Sequence, residues 1–215
     1  MSGRLAAWIT LVAALSALNY YGRLTDDSSN RVRDAVYSYS TFVNGLVLYA
    51  LILGAVLAIA HGRPELFALR RPRGRVLSLT LGSLVGIYLW ELVVSTLPIE
   101  SPGTEQGLTP TGWEAAHAGA FAANCFLFVI VAPIVEELTF RGVGQSLLQF
   151  LGRFGSIAVI GITFGLWHGL VEALVVLVPF GMALAYLRDR TTSVLPGMVV
   201  HGLFNAAALA ASVLA

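Results

Sequence analysis

The chain has no lysine, one cysteine and little charge of either sign. Of its 215 residues only 12% are charged while 57% are hydrophobic, and the mean hydropathy is +0.79. A soluble globular domain carries roughly one-quarter charged residues, so this composition excludes one. The lone Cys125 excludes an internal disulfide. Thirteen basic residues against twelve acidic ones leave a net charge of +1, which gives nucleic acid no basic footprint to bind. Internal repeats and low-complexity tracts are missing as well, and so are the ten-residue alternations of polar and apolar residues that mark a membrane barrel.

What remains is long apolar runs with short polar punctuation. A spanning helix needs about 20 such residues. Runs fall near Leu5–Tyr21, Val36–Ala60, Val76–Leu97, Cys125–Leu147, Gly155–Val171, Ala173–Leu187 and Val194–Leu214. Because backbone groups cannot stay unpaired in lipid, runs of this length mean helices. The expected fold is all-α, a polytopic transmembrane bundle of about seven spans, six to eight, in a single membrane-embedded domain over residues 1–215. Arg4 ahead of Leu5–Leu18 has the polarity of a signal peptide, but Asn19-Tyr20-Tyr21-Gly22 reads as an interfacial anchor and not a cleavage site, so a retained helix is expected.

All thirteen basic residues are arginine. Arg63, Arg70, Arg71, Arg73 and Arg75 crowd the connection between the second and third runs, and Arg153, Arg188 and Arg190 fall on the same side if the runs alternate. The positive-inside tendency makes that side cytoplasmic. Glu100, Glu105 and Glu114, with the turn-forming stretch Pro98–Pro110, belong to the opposite side, and seven spans put the N-terminus inside and the C-terminus outside.

Against this background three polar clusters stand out: Glu136-Glu137-x-x-x-Arg141, Phe164-x-x-x-His168 and His201-x-x-x-Asn205. Ionisable groups at membrane depth are costly, and they mark functional sites by default. Positions i and i+4 share a helix face, so Glu137 and Arg141 are expected to pair while Glu136, about 100° away, faces a polar cavity. Counting 1.5 Å per residue places Glu136, His168 and His201 within about two turns of one another in depth, with Pro133 a break point for its helix. One carboxylate and two imidazoles can activate water in two ways. Glu136 acts as general base with a histidine assisting, or Glu136, His168 and His201 hold a divalent metal such as zinc whose bound water attacks. Asn205 and the second imidazole would then stabilise an oxyanion, and the reaction is amide hydrolysis.

Each cluster also has an ordinary structural role. Glu137 with Arg141 is a buried bridge, a lone intramembrane histidine bonds between helices, Asn205 is polar glue, and Phe164 packs. Two other functional classes use the same residues. A bis-imidazole haem protein would take His168 and His201 as axial ligands and leave the glutamates unexplained. An ion- or proton-coupled transporter would use Glu136, His168 and His201 as a relay, without the repeat halves typical of such folds.

Taken together, Pro133-Ile134-Val135-Glu136-Glu137-Leu138-Thr139-Phe140-Arg141-Gly142, Phe164-Gly165-Leu166-Trp167-His168 and Ser193 through His201-Gly202-Leu203-Phe204-Asn205 resemble the CPBP intramembrane protease family. That family includes type II CAAX prenyl endopeptidases and bacterial Abi proteins. The resemblance covers about Phe121–Ala210 and implies a catalytic core of about 121–210. It implies Glu136 as catalytic glutamate, His168 as its partner in activating water, His201 and Asn205 as oxyanion stabilisers, and Glu137 and Arg141 as residues shaping the site. The family has been treated both as glutamate-type and as metal-dependent. The all-arginine, alanine-rich composition points to a high-GC bacterial genome, where CAAX substrates are not expected. The expectation is therefore a multi-pass protein of a bacterial inner membrane that cleaves a membrane-anchored peptide or protein tail at the lipid boundary.

Overall fold

The computed structural model describes residues 2–25, 35–98 and 112–214. The acidic stretch expected on the outer side, including Glu100 and Glu105, and most of the segment between Arg23 and Asp34 lie outside the described residues. The remainder is helical, with no strand among the described residues. Among the described residues seven long helices follow one another: α1 (Ser2–Thr25), α2 (Tyr39–Ile59), α3 (Val76–Val94), α4 (Ala115–Leu147), α5 (Gly152–Trp167), α6 (Leu174–Thr191) and α7 (Leu195–Leu214). Six of them are long and apolar enough to cross a membrane; α6 falls short because it ends in Arg188-Asp189-Arg190. Large apolar side chains cover the outside, among them Leu51, Leu77, Phe126 and Phe154, as a lipid-facing surface requires. This is an integral multi-pass membrane protein.

Every apolar run of the sequence falls on one of these helices. The fourth differs in extent: α4 begins at Ala115 and not at Cys125, because the Ala- and Gly-rich stretch before Cys125, with His117 and Asn124, is helical without being strongly apolar. Asn124 is fully buried there, its Nδ2 donating to the carbonyls of Val36 and Ser38 ahead of α2.

Pro133 does not break α4. It sits between two π turns, Leu127–Val131 and Leu138–Gly144, that flank the α-helical stretch Ala132–Glu137. The first turn has a stereochemical cause. Proline lacks an N–H, and the Ala132 N–H bonds five residues back to the Leu127 carbonyl. The Phe128 carbonyl is then left without a helical donor from either residue.

Helices α5 and α6 form an antiparallel pair that approaches at two glycines, since a Cβ on Gly181 would lie 2.9 Å from the Gly161 Cα. Side chains of α4 bridge to α6 in sequence: Arg141 donates to the Gly181 carbonyl at 3.1 Å, Gln145 to the Ala185 carbonyl at 3.0 Å, and Arg188 to the Ser146 hydroxyl at 2.7 Å. The turn after α5 is tied to α1, whose Asn19 amide and Tyr20 hydroxyl donate to the Trp167 and Leu170 carbonyls. One hydrophobic cluster runs from Trp8 to Phe204, and its Phe164 and Phe180 rings lie against polar side chains.

Candidate active site

Glu136 is 5% exposed, and its two carboxylate oxygens have different surroundings. Oε1 accepts a 2.7 Å hydrogen bond from the Tyr49 hydroxyl on α2. Oε2 has no hydrogen-bond partner and lies 3.9 Å from His168 Nε2 and 3.8 Å from His201 Nε2. Both imidazoles are oriented from behind. His168 Nδ1 lies 2.8 Å from the Phe164 carbonyl and His201 Nδ1 lies 3.2 Å from Glu137 Oε1. A carbonyl or carboxylate oxygen only accepts, so each Nδ1 carries a proton and each Nε2 is turned towards Glu136.

Behind this group sits the fully buried pair of Glu137 and Arg141, with Nη1 to Oε1 at 2.8 Å. The guanidinium stacks 4.2 Å over the Phe164 ring. Phe164 in turn lies edge-on to His168, with centroids 4.7 Å apart, and to His201 at 5.8 Å, while Phe180 closes on His201 at 5.1 Å. Phe164 thus packs as its apolar character suggests, and it also sets the planes of both imidazoles. On the far side of Glu137, Gly197 is required: a Cβ there would stand 2.7 Å from Oε2 of that carboxylate.

Arg141 offsets one of the two buried carboxylate charges, which lowers the cost of holding the cluster in lipid.

The structure brings Glu136, Glu137, Arg141, His168 and His201 together. Asn205 makes its contact elsewhere, its Nδ2 donating at 2.8 Å to the Phe128 carbonyl that the π turn and Pro133 leave without a partner. Tyr49 belongs to the site although the sequence reading passed over it. A phenol hydroxyl midway along an apolar span needs a partner, which is the signal that could have found it.

The fit of a metal can be tested on the donors. Tetrahedral zinc, with ligand bonds of about 2.0–2.2 Å, holds its donor atoms about 3.3–3.6 Å apart. The Oε2 to Nε2 distances of 3.8 and 3.9 Å are wider, and among the described residues no group of three or more His, Cys, Asp and Glu side chains is gathered to hold an ion. As arranged, the residues do not fit a zinc ion.

The fold and this cluster define a class: a polytopic helical membrane protein with a carboxylate and two convergent imidazoles inside its bundle. Within that class, residues 118–207 match the family model described as type II CAAX prenyl endopeptidase Rce1-like. The match runs from the start of α4 into α7 and leaves α1 to α3 outside it. Comparison with curated proteins and with solved structures gives no match.

Proposed function

We propose that the chain is an intramembrane endopeptidase that hydrolyses an amide bond in a membrane-anchored peptide or protein tail, with Glu136 as general base. The observation that carries this reading is the convergence of two Nε2 atoms, at 3.8 and 3.9 Å, on one buried carboxylate oxygen that has no other partner. Polar atoms at that separation are too far apart for a direct bond and suited to a shared water. With Oε1 occupied by Tyr49, the water hydrogen-bonds to Oε2 and to an Nε2. Glu136 takes its proton as the oxygen attacks the amide carbon, and returns it to the leaving nitrogen as the carbon–nitrogen bond breaks. A second proton on His201 would sit at Nε2, from which it donates to the oxyanion while the Nδ1–H stays on Glu137. Asn205 in this reading holds the Phe128 carbonyl and with it the geometry of α4.

The match of residues 118–207 to a family of membrane endopeptidases supports the same reaction class. A haem between His168 and His201 would have to displace the Glu136 carboxylate, which lies within 3.9 Å of both imidazoles. The crowded arginines at one end support a cytoplasmic assignment for that end.

The test is processing of candidate membrane-anchored peptides in cells expressing the wild type, Glu136→Ala or His168→Ala, with metal content measured on the same purified proteins. Loss of about 10²- to 10⁴-fold in each variant is expected, as for removal of a general base or its partner. Undiminished processing by both would remove the proposal, and stoichiometric metal in the wild type that is lost in both variants would replace the carboxylate mechanism with a metal-dependent one.

A further inference from the structure

The arginine-rich end holds a second polar site, unconnected with the first. Ser146 lies ten residues beyond Glu136 on α4, about 15 Å along the axis. There a cavity of about 580 Å³ opens between the start of α1, the α2–α3 connection and the end of α4, with Arg4, Arg63, Glu65, Arg70, Ser146 and Gln149 on its wall. Three guanidinium groups face one carboxylate. Glu65 lies 3.6 Å from Arg63, whereas Arg4 and Arg70 donate, among the described residues, to the carbonyls of His61 and Thr192, at 3.0 and 2.7 Å. Carbonyl partners anchor these side chains without neutralising them.

A fourth guanidinium backs the wall. Arg188 is 6% exposed, donates through Nη2 to Ser146 Oγ at 2.7 Å, and keeps a buried Nε with no partner. Burial and the Arg70 charge both act on Arg188 unfavourably, and its neighbour Asp189, which also pairs with Arg153 at 2.7 Å, offsets them in part. The positive-inside tendency accounts for exposed arginines in a loop. It does not account for an arginine buried against a concave basic wall, which keeps a cost in free energy that Asp189 offsets only in part.

We infer that this cavity binds a phosphate anion, either the headgroup of an anionic phospholipid or a free phosphate, through Arg4, Arg63 and Arg70. The planar guanidinium fork matches phosphate oxygens, and the Ser146 hydroxyl, which accepts from Arg188, still has its own proton to donate. On the topology read from the arginines this end faces the cytoplasmic headgroups, and a bound anion would tie α1, the α2–α3 connection and α4 together.

The experiment uses the full chain in nanodiscs of phosphatidylcholine with phosphatidylglycerol, with bound lipid read by native mass spectrometry. In a parallel arm, thermal unfolding in neutral detergent is followed with and without inorganic phosphate. Enrichment of phosphatidylglycerol is expected for the wild type. The double variant Arg4→Gln/Arg70→Gln should reduce it about thirtyfold, from roughly 1 kcal/mol per arginine and 1.4 kcal/mol per decade. Arg73→Gln/Arg75→Gln, which keeps the pocket and removes the same charge beside it, should retain the enrichment. Glu65→Gln should increase it, a gain that misfolding cannot produce. Stabilisation by inorganic phosphate without lipid enrichment, abolished by Arg4→Gln/Arg70→Gln, identifies the free anion as the source. Equal losses in the two arginine double variants, or binding of neither probe, would overturn the inference.

Discussion

Tyr49 holds one oxygen of Glu136, leaving the other as the acceptor that both imidazole Nε2 atoms approach. A hydrogen bond to a charged group contributes about 1.5–3 kcal/mol. Tyr49→Phe is therefore expected to lower kcat about 10- to 100-fold with little change in KM, because the bond positions the base without touching substrate; an equal rise in KM with unchanged kcat would assign Tyr49 to substrate binding. The pair behind the site makes a second demand at this scale. Arg141→Met leaves the Glu137 carboxylate buried without its guanidinium partner, with His201 alone still bonded to it, and unfolding in detergent should show a loss of about 3–5 kcal/mol. The double variant Glu137→Gln/Arg141→Met removes both charges and should recover most of that stability. If it is no more stable than Arg141→Met, the cost lies in packing against Phe164 and not in charge.

At the scale of the element, α4 depends on the π turns around its acidic pair. The first frees the Phe128 carbonyl to Asn205, and the Thr139 carbonyl in the second accepts from Trp8 Nε1 at 2.9 Å. Gly144 leaves room for that indole, since a Cβ there would stand 2.4 Å from the Trp8 ring. Asn205→Leu orphans a carbonyl and should cost about 1–3 kcal/mol of stability. In a Pro133→Ala background, which returns an N–H to the turn, the same change should cost less. Additive effects in this double-mutant cycle would separate Asn205 from the turn and leave the oxyanion as its purpose. The helices were legible in the sequence because apolar length alone dictates them in lipid, and the Glu137–Arg141 pair because an i, i+4 spacing shares a face. The π turns were not, since Pro133 announces a defect without saying whether a kink or an added residue resolves it. The early start of α4 was hidden by its alanines and glycines, and the part of Tyr49 by its distance from the three motifs.

For the molecule as a whole, three helices from the matched segment supply the acids and imidazoles, and two helices outside it complete the arrangement. From α2 comes Tyr49; α1 gives Trp8 to the second π turn and Asn19 to the turn beyond His168. Glu136, His168 and His201 converge, with Glu136 and His201 nearly closed off and a fraction of His168 open, while Asn205 turns to the Phe128 carbonyl. An apolar groove of about 340 Å³ between α3 and α6 shares Phe180 with the site, and so lies one aromatic ring from His201. The account's central claim is that one carboxylate activates the attacking water. Its most direct test is single-turnover cleavage of a membrane-anchored peptide by the purified, reconstituted Glu136→Gln variant, which keeps an acceptor for Tyr49 and cannot take a proton. Cleavage about 10²- to 10⁴-fold slower than the wild type, with unfolding unchanged, is the predicted result; cleavage at the wild-type rate would contradict it.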